Sequence, residues 1–327
     1  MQRAIERYRN FAMGRAYIFP LIIFAIVVAT NYYLQRNMLE PRVLNANLRS
    51  FTPLVFLAVA QTFVIIGGSI DLSLGAVMSL TAAIMVTNLS PDTGAGAFIL
   101  VFLLALSVGM LLGAINGLMV TYARLPPFIT TYAISFVYAG LALWVLPRPG
   151  GDVPRLIAGG YRNLLIVGLP AGIFVFIILL LSWTLLRNTR YGTFLYAIGG
   201  NTRSAYVSGV PVLRDRMTSH IIAGALAVFA ALFFVLNTGS SDARIGDSLT
   251  LDSIVAVVLG GTPLSGGIGG IAGSILGVLI LGFVRNIVSF ANVNSWYQPL
   301  VDASIILVAL ASPGFIRLIQ SQLKKRQ

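Results

Sequence analysis

The chain has no cysteine and a single histidine, His220. Without thiols there is no disulfide, thiolate metal site, iron–sulfur cluster or cysteine nucleophile. A lone histidine makes neither a metal site nor a proton relay, and His220 reads as an interfacial side chain near the start of a helix. Charge is scarce as well. Only 10% of the 327 residues are Asp, Glu, Lys or Arg, against about 25% in soluble domains. A water-facing exterior cannot be covered with so few charges. Also missing is the phosphate-cradling run G-x-x-x-x-G-K-[ST]. Gly266-Gly267-Ile268-Gly269-Gly270 has no lysine behind it, so the chain cannot hold ATP in the P-loop manner.

What remains is apolar. Hydrophobic residues make up 57% of the chain, and the mean hydropathy is +0.89. A helix crosses the hydrocarbon core with about 20 apolar residues, and 16–34, 97–120 and 164–186 each provide such a run. The first follows Arg3, Arg7, Arg9 and Arg15. It is longer than a signal-peptide core and has no A-x-A-like site, so it reads as a retained helix. The full expectation is an all-α polytopic membrane protein, one permease domain over 1–327, with about ten transmembrane helices, some broken or half-length. These lie at 16–34, 51–69, 72–89, 97–121, 127–146, 164–186, 217–237, 252–262, 270–290 and 297–314.

The net charge of +12 reads as topology before it reads as nucleic-acid binding, because Lys and Arg gather on cytoplasmic loops. With the N-terminus inside, 14 of the 22 basic residues fall on the cytoplasmic side. They include the N-terminal arginines, Arg124, the loop arginines from Arg187 to Arg216, and the C-terminal group Arg317, Lys324, Lys325 and Arg326. Seven fall outside, with Arg148, Arg155 and Arg162 against the trend, and Arg285 lies in a helix. Both termini are therefore expected inside.

Two glycine-rich breaks interrupt the helices. The first, Gly67-Gly68-Ser69-Ile70-Asp71-Leu72-Ser73-Leu74-Gly75, lies between the second and third helices; the second runs Gly260-Gly261-Thr262-Pro263-Leu264-Ser265-Gly266-Gly267-Ile268-Gly269-Gly270. The helix before the second break covers only about half the core at ~1.5 Å per residue. It is either a half-helix or it begins earlier, through Ser248–Asp252. Irregular backbone at membrane depth is tolerated only against protein or a wet cavity, so both breaks are expected to face the interior. The breaks also resemble each other: Gly-Gly, Leu-Ser, then Gly. That is compatible with repeated halves, and equally with two glycine-rich turns that merely look alike.

The long loop 187–216 is too polar to span and too apolar for a linker. Asn201 is placed to cap a short helix containing Arg203, Ser204, Ala205 and Ser208, which Gly209 would end ahead of Pro211. A capped cytoplasmic helix suits docking; a loop folded back on the protein is the alternative.

Three segments resemble the permeases of ribose/galactose/xylose-type bacterial ABC importers: GGSIDLSLGAVMSLTAA, RYGTFLYAIGGNTRSAYVSGVPV and LDSIVAVVLGGTPLSGGIGGIAGSILGVLILGF. Their order and spacing also match. The chain departs from the usual Gly-Gly-Ile-Asp or Ser-Gly-Ile-Asp of the first segment by reading Gly68-Ser69-Ile70-Asp71. The resemblance implies a subunit of the bacterial inner membrane that imports a small sugar, pentose or hexose, with no cofactor of its own. It implies a second permease subunit, identical or related, an ABC ATPase that binds ATP and Mg, and an extracytoplasmic sugar-binding protein. It further implies that Asn201, Arg203, Ser204, Ala205, Ser208 and Gly209 form the ATPase coupling element.

The candidates for the translocation pathway are Gly67, Gly68, Asp71, Ser73, Gly260, Gly261, Ser265 and Asn116. Asp71 reads either as a functional carboxylate or as the cap of a helix beginning at Leu72. Arg285 and Asp302 are placed to pair across a helix interface. Gln61, Thr62 and Asn116 read first as helix-packing groups, and Trp144, Trp183 and Trp296 as interfacial indoles. A secondary ion-coupled transporter is the runner-up function. It is disfavoured because only Asp71, Arg285 and Asp302 are ionisable at depth and no carboxylate–histidine chain is evident. A membrane enzyme would need clustered acid, base or metal ligands, and a channel a ring of pore charges; neither is found.

Overall fold

The computed structural model describes residues 18–291 and, beyond them, Tyr297, Leu300, Ala303 and Ser304. The expected last helix, Asp302 and Trp296 lie outside the described residues. Among the described residues, twelve helices and one two-stranded hairpin follow in order. The first five helices are α1 (Ile18–Leu34), α2 (Pro41–Ile66), α3 (Leu74–Thr87), α4 (Ala95–Thr121) and α5 (Pro127–Val145). Next come α6 (Arg155–Asn163), the strands β1 (Leu165–Ile166) and β2 (Leu169–Pro170), and α7 (Ala171–Arg187). The chain continues through α8 (Arg190–Gly200), α9 (Thr202–Val207), α10 (Val212–Thr238), α11 (Gly246–Leu259) and α12 (Ile271–Phe290).

Among the described residues, five helices, α2, α4, α5, α10 and α12, are long and apolar enough to cross a membrane. The bent pair α7–α8 makes a possible sixth, and residues 20–34 of α1 and the whole of α3 are shorter apolar helices. The polytopic α-helical architecture thus stands, with several element boundaries moved. Helix α2 begins at Pro41, ten residues before the expected start, because proline at the first helical position needs no N–H partner. At 26 residues it is about 39 Å long, so its first turns, with Arg42 and Arg49, extend past a ~30 Å core. The stretch 164–170 forms a tight hairpin at Val167 (φ 53°) and Gly168 (φ 76°) instead of opening a helix, and α7 starts at Ala171. Helix α10 starts at Val212 and takes Arg214 and Arg216 out of the loop. Helix α11 begins early, at Gly246, running through Ser248–Asp252; at 14 residues it spans about 21 Å, short of a ~30 Å core.

Helix α10 lies at the centre, against α2, α3 and α4. Its contact with α4 is backbone-close. A Cβ at Gly109, Gly113 or Gly117 would run into Gly224 and Val228, His220 and Met217 respectively. This Gly-x₃-Gly-x₃-Gly face is the small-residue packing expected where lipid supplies no hydrophobic drive. One apolar core gathers α3, α4, α5, α10 and the face of α2 that carries Phe56, Leu57, Ala60 and Val64; a second gathers the rest of α2 with α11 and α12.

Candidate functional site

The close approach of α4 to α10 fixes two polar side chains, Asn116 and His220, opposite the first break. Asp71 sits between them, fully buried. Its Oδ1 accepts from Ser73 N (2.9 Å) and Ser73 Oγ (2.7 Å). Its Oδ2 accepts from Asn116 Nδ2 (3.2 Å) and lies 2.9 Å from His220 Nδ1. Asn116 also donates to Ser73 Oγ (2.6 Å) and accepts from Tyr138 Oη (3.2 Å). From α2, the Gln61 amide, oriented so that both its atoms are satisfied, donates to Asp71 O (3.0 Å) and accepts from Asp71 N (3.3 Å). Thr131 Oγ1 of α5 accepts from Leu72 N (3.0 Å).

This geometry corrects two expectations. Asp71 does accept a backbone N–H ahead of α3, from Ser73, but the helix begins at Leu74 rather than Leu72. The carboxylate also accepts from Asn116 of α4 and lies against His220 of α10, while Gln61 of α2 and Thr131 of α5 hold the Asp71 and Leu72 backbone. His220 is not interfacial. It is fully buried and forms the carboxylate–histidine pair that the sequence did not reveal. Four donors surround the carboxylate, which is what a buried anion requires.

The helices ahead of the two breaks end alike. Gly68 N bonds to Ile65 O and Ser69 N to Val64 O; Gly261 N bonds to Val258 O and Thr262 N to Val257 O. Gly68 (φ 76°) and Gly261 (φ 89°) hold the left-handed position, so both are Schellman ends. The breaks then meet. Gly267 N donates to Ile66 O (3.1 Å), and a Cβ at Gly266 would lie 3.1 Å from Gly68 Cα. Gly260 packs on the backbone of Gly273, and Ser265 is exposed.

Helix α8 closes this junction. It turns 81° from α7 and is capped by Thr189, which accepts from Gly192 N (3.3 Å). A Cβ at its Gly199 would overlap Ile66 O and crowd Gly267 N. Tyr196 Oη donates to Gly269 O (2.6 Å). Arg216 donates to Gly67 O (3.3 Å) and to Thr202 Oγ1 (3.2 Å). Three Gly-Gly pairs, 67–68, 199–200 and 266–267, thus come together, and only the first and third had been marked as breaks. The signal was present in the pairing of Gly199 with Gly200.

Beyond the junction, Asn201 caps α9 as expected: its Oδ1 accepts from Ser204 N (2.9 Å), and Gly209 turns the chain away at φ 81°. Arg203, Ser204 and Ser208 are exposed. Ala205 is buried with Ile198 and Val212. The apolar side chains that α9 presents outward are Tyr206 (70% exposed) and Val207 (80%), which sequence reasoning did not single out. Elsewhere, Thr62 hydrogen-bonds Ser274 across α2 and α12 (2.6 Å). Arg285 pairs with Asp252 (2.8 Å). Trp183 is a core residue edge-on to Phe63, while Trp144 is 80% exposed.

Residues 43–310 match the family model described as the permease component of the branched-chain amino acid transport system. The chain belongs to that permease family and is a multi-pass protein of the bacterial cell (inner) membrane. It is similar to the ribose import permease RbsC of Haemophilus influenzae, 32% identical across 94% of this chain and 96% of the relative. The RbsC of Bacillus subtilis is 35% identical across 89% of each. The autoinducer 2 import permease LsrD of Photorhabdus temperata is 27% identical across 93% and 91%. No solved structure matches the chain.

Proposed function

We propose that the chain is the permease subunit of an ATP-binding-cassette importer for a small sugar of pentose or hexose size. Its partners are an ABC ATPase that binds ATP and Mg, a second permease subunit, and an extracytoplasmic sugar-binding protein that delivers the cargo. The sugar assignment rests on the ribose permeases to which the chain is similar. The observation that carries the mechanism is the junction of α8 with both breaks. A short capped helix, α9, presents Tyr206 and Val207 outward, and its neighbour α8 is wedged by Gly199 against Ile66 and Gly267. Displacement of α9 by an ATPase then moves both breaks together, because no side chain cushions the contact. Asn201 sets the start of that lever and Gly209 its end; Arg203, Ser204 and Ser208 border the exposed face, and Ala205 fixes α9 to α8 and α10.

In this account Gly67, Gly68, Gly260, Gly261 and Ser265 serve the pathway as joints, and Asp71, Ser73 and Asn116 hold the first joint's shape. The Asp71–His220 pair would favour ion-coupled transport if it met water, but its side chains are fully enclosed. The test is uptake of labelled ribose by cells expressing the whole transporter, with ATP maintained while proton and sodium gradients are collapsed. Uptake is expected to persist, and to stop when ATP is depleted with gradients intact. The reverse pattern would establish a secondary transporter.

A further inference from the structure

Between α3, α5 and the start of α11 lies an open cavity of about 440 Å³, within the ~300–1,000 Å³ of small-molecule sites. One wall is a ladder of three rings one helical turn apart on α5. Phe128, Tyr132 and Phe136 are 57%, 53% and 61% exposed, and the last two meet edge to face at 4.9 Å. Ser135 on α5 and Asp247 in the first turn of α11 add polar groups to the lining.

Lipid is a poor occupant. Gly246, next to Asp247, donates to Ser79 Oγ (3.0 Å), eight residues from the end of α3, hence about 12 Å inside that helix. Asp247 is exposed there and pairs with no cation among the described residues. A carboxylate in hydrocarbon costs at least ~2.5 kcal/mol, so the face that carries it meets water. The place is also where two short helices begin. Backbone contact between Gly75 and Gly246 brings the N-terminal turns of α3 and α11 together, and Gly75 N bonds to Thr250 Oγ1 (3.0 Å). Discontinuous helices whose N-termini meet inside a transporter commonly border its substrate route.

We propose that this groove is the passage that contacts cargo, and that it takes a neutral polyhydroxylated ring. The ladder Phe128–Tyr132–Phe136 offers flat faces to the C–H side of a sugar. Asp247 and Ser135 take its hydroxyls, as charged and neutral hydrogen-bonding groups respectively. The proposal rests on the importer reading above and adds the residues that touch the cargo.

The absence of cysteine makes the test direct. In cells carrying the whole transporter, Ser135→Cys is exposed to a charged thiol reagent and compared with Leu100→Cys on the outer face of α4. Labelling at 135 is expected to be many times faster than at 100 and to be slowed by ribose. Tyr132→Ala and Asp247→Asn, at normal membrane levels, are expected to lose ribose uptake by at least about tenfold, the loss of one good stacking or charged contact. Equal labelling at 135 and 100 would show a lipid-facing groove. Oxidative dimerisation through Ser135→Cys with uptake intact would show that a second copy fills it. Either result overturns the proposal, as does full uptake by both Tyr132→Ala and Asp247→Asn. Rapid labelling at 135 in a chain whose unmodified form imports no ribose would strike the sugar reading and leave the wet passage standing.

Discussion

Removing His220 would leave Asp71 enclosed without its basic partner. A broken buried pair typically costs about 3–5 kcal/mol, so His220→Ala is expected to lower the thermal midpoint of the detergent-purified protein markedly. Asp71→Asn has a milder expected effect, about 1–3 kcal/mol. The amide can still accept from Ser73 at one atom, and His220 can shift its tautomer to accept from the other. Because no charge is left buried in the double variant, Asp71→Asn with His220→Ala should be more stable than His220→Ala alone. Midpoints from intrinsic fluorescence decide the order. A double variant less stable than the single one would mean that the pair contributes no buried charge. Neither partner of this network was legible as such in the sequence. Asp71 was marked by its place in a glycine-rich break, but His220 lies 149 positions away. Only the glycine face of α4, which sets the distance between α4 and α10, brings the two together.

At the scale of elements, the short helix α9 was legible and α8 was not. Asn201, Gly209 and Pro211 state where α9 begins and ends. In α8, glycine stands at 192, 199 and 200, and the inward positions are only Gly192, Leu195 and Ile198, too short a stripe to reveal a helical period. Its conformation is set by Thr189 at one end and the junction at the other, and the second of these is tertiary. The same reason hid the start of α11: Gly246 is a poor helix former that is present because α3 passes against it. Gly199→Ala tests the junction. Its Cβ would overlap Ile66 O, so backbone must separate, and uptake is expected to fall at least about tenfold with α9 itself unchanged. Gly209→Val acts differently. No atom crowds that site, but φ 81° is strained for a β-branched residue. Its expected defect is a displaced α9 and weaker ATPase co-purification. Wild-type uptake by both variants at equal membrane level would mean that neither the wedge nor the turn transmits motion.

For the molecule as a whole, the two breaks, the helix α8 that touches both and the groove beside the first break are contiguous. In the proposed coupling the ATPase acts at Tyr206 and Val207, which α9 leaves exposed. A displacement there would reach Gly67–Gly68 and Gly266–Gly267 through α8, and Arg216 ties α10 to the first break and to Thr202. The Asp71 network ties the break ahead of α3 to α4, α5 and α10. Class and architecture followed from composition and from three local motifs. This contiguity did not, because each of its contacts joins residues far apart in sequence through backbone atoms that carry no side-chain signature. The most direct measurement is made on Val207→Asp, 80% exposed in the free subunit and therefore harmless to its fold. Placing an unpaired carboxylate in an ATPase contact costs several kcal/mol. The variant is expected to reach normal membrane level, to lose ATPase co-purification by more than about tenfold, and to take up no ribose. Normal co-purification and uptake would contradict this coupling, and would place the coupling surface elsewhere on the chain.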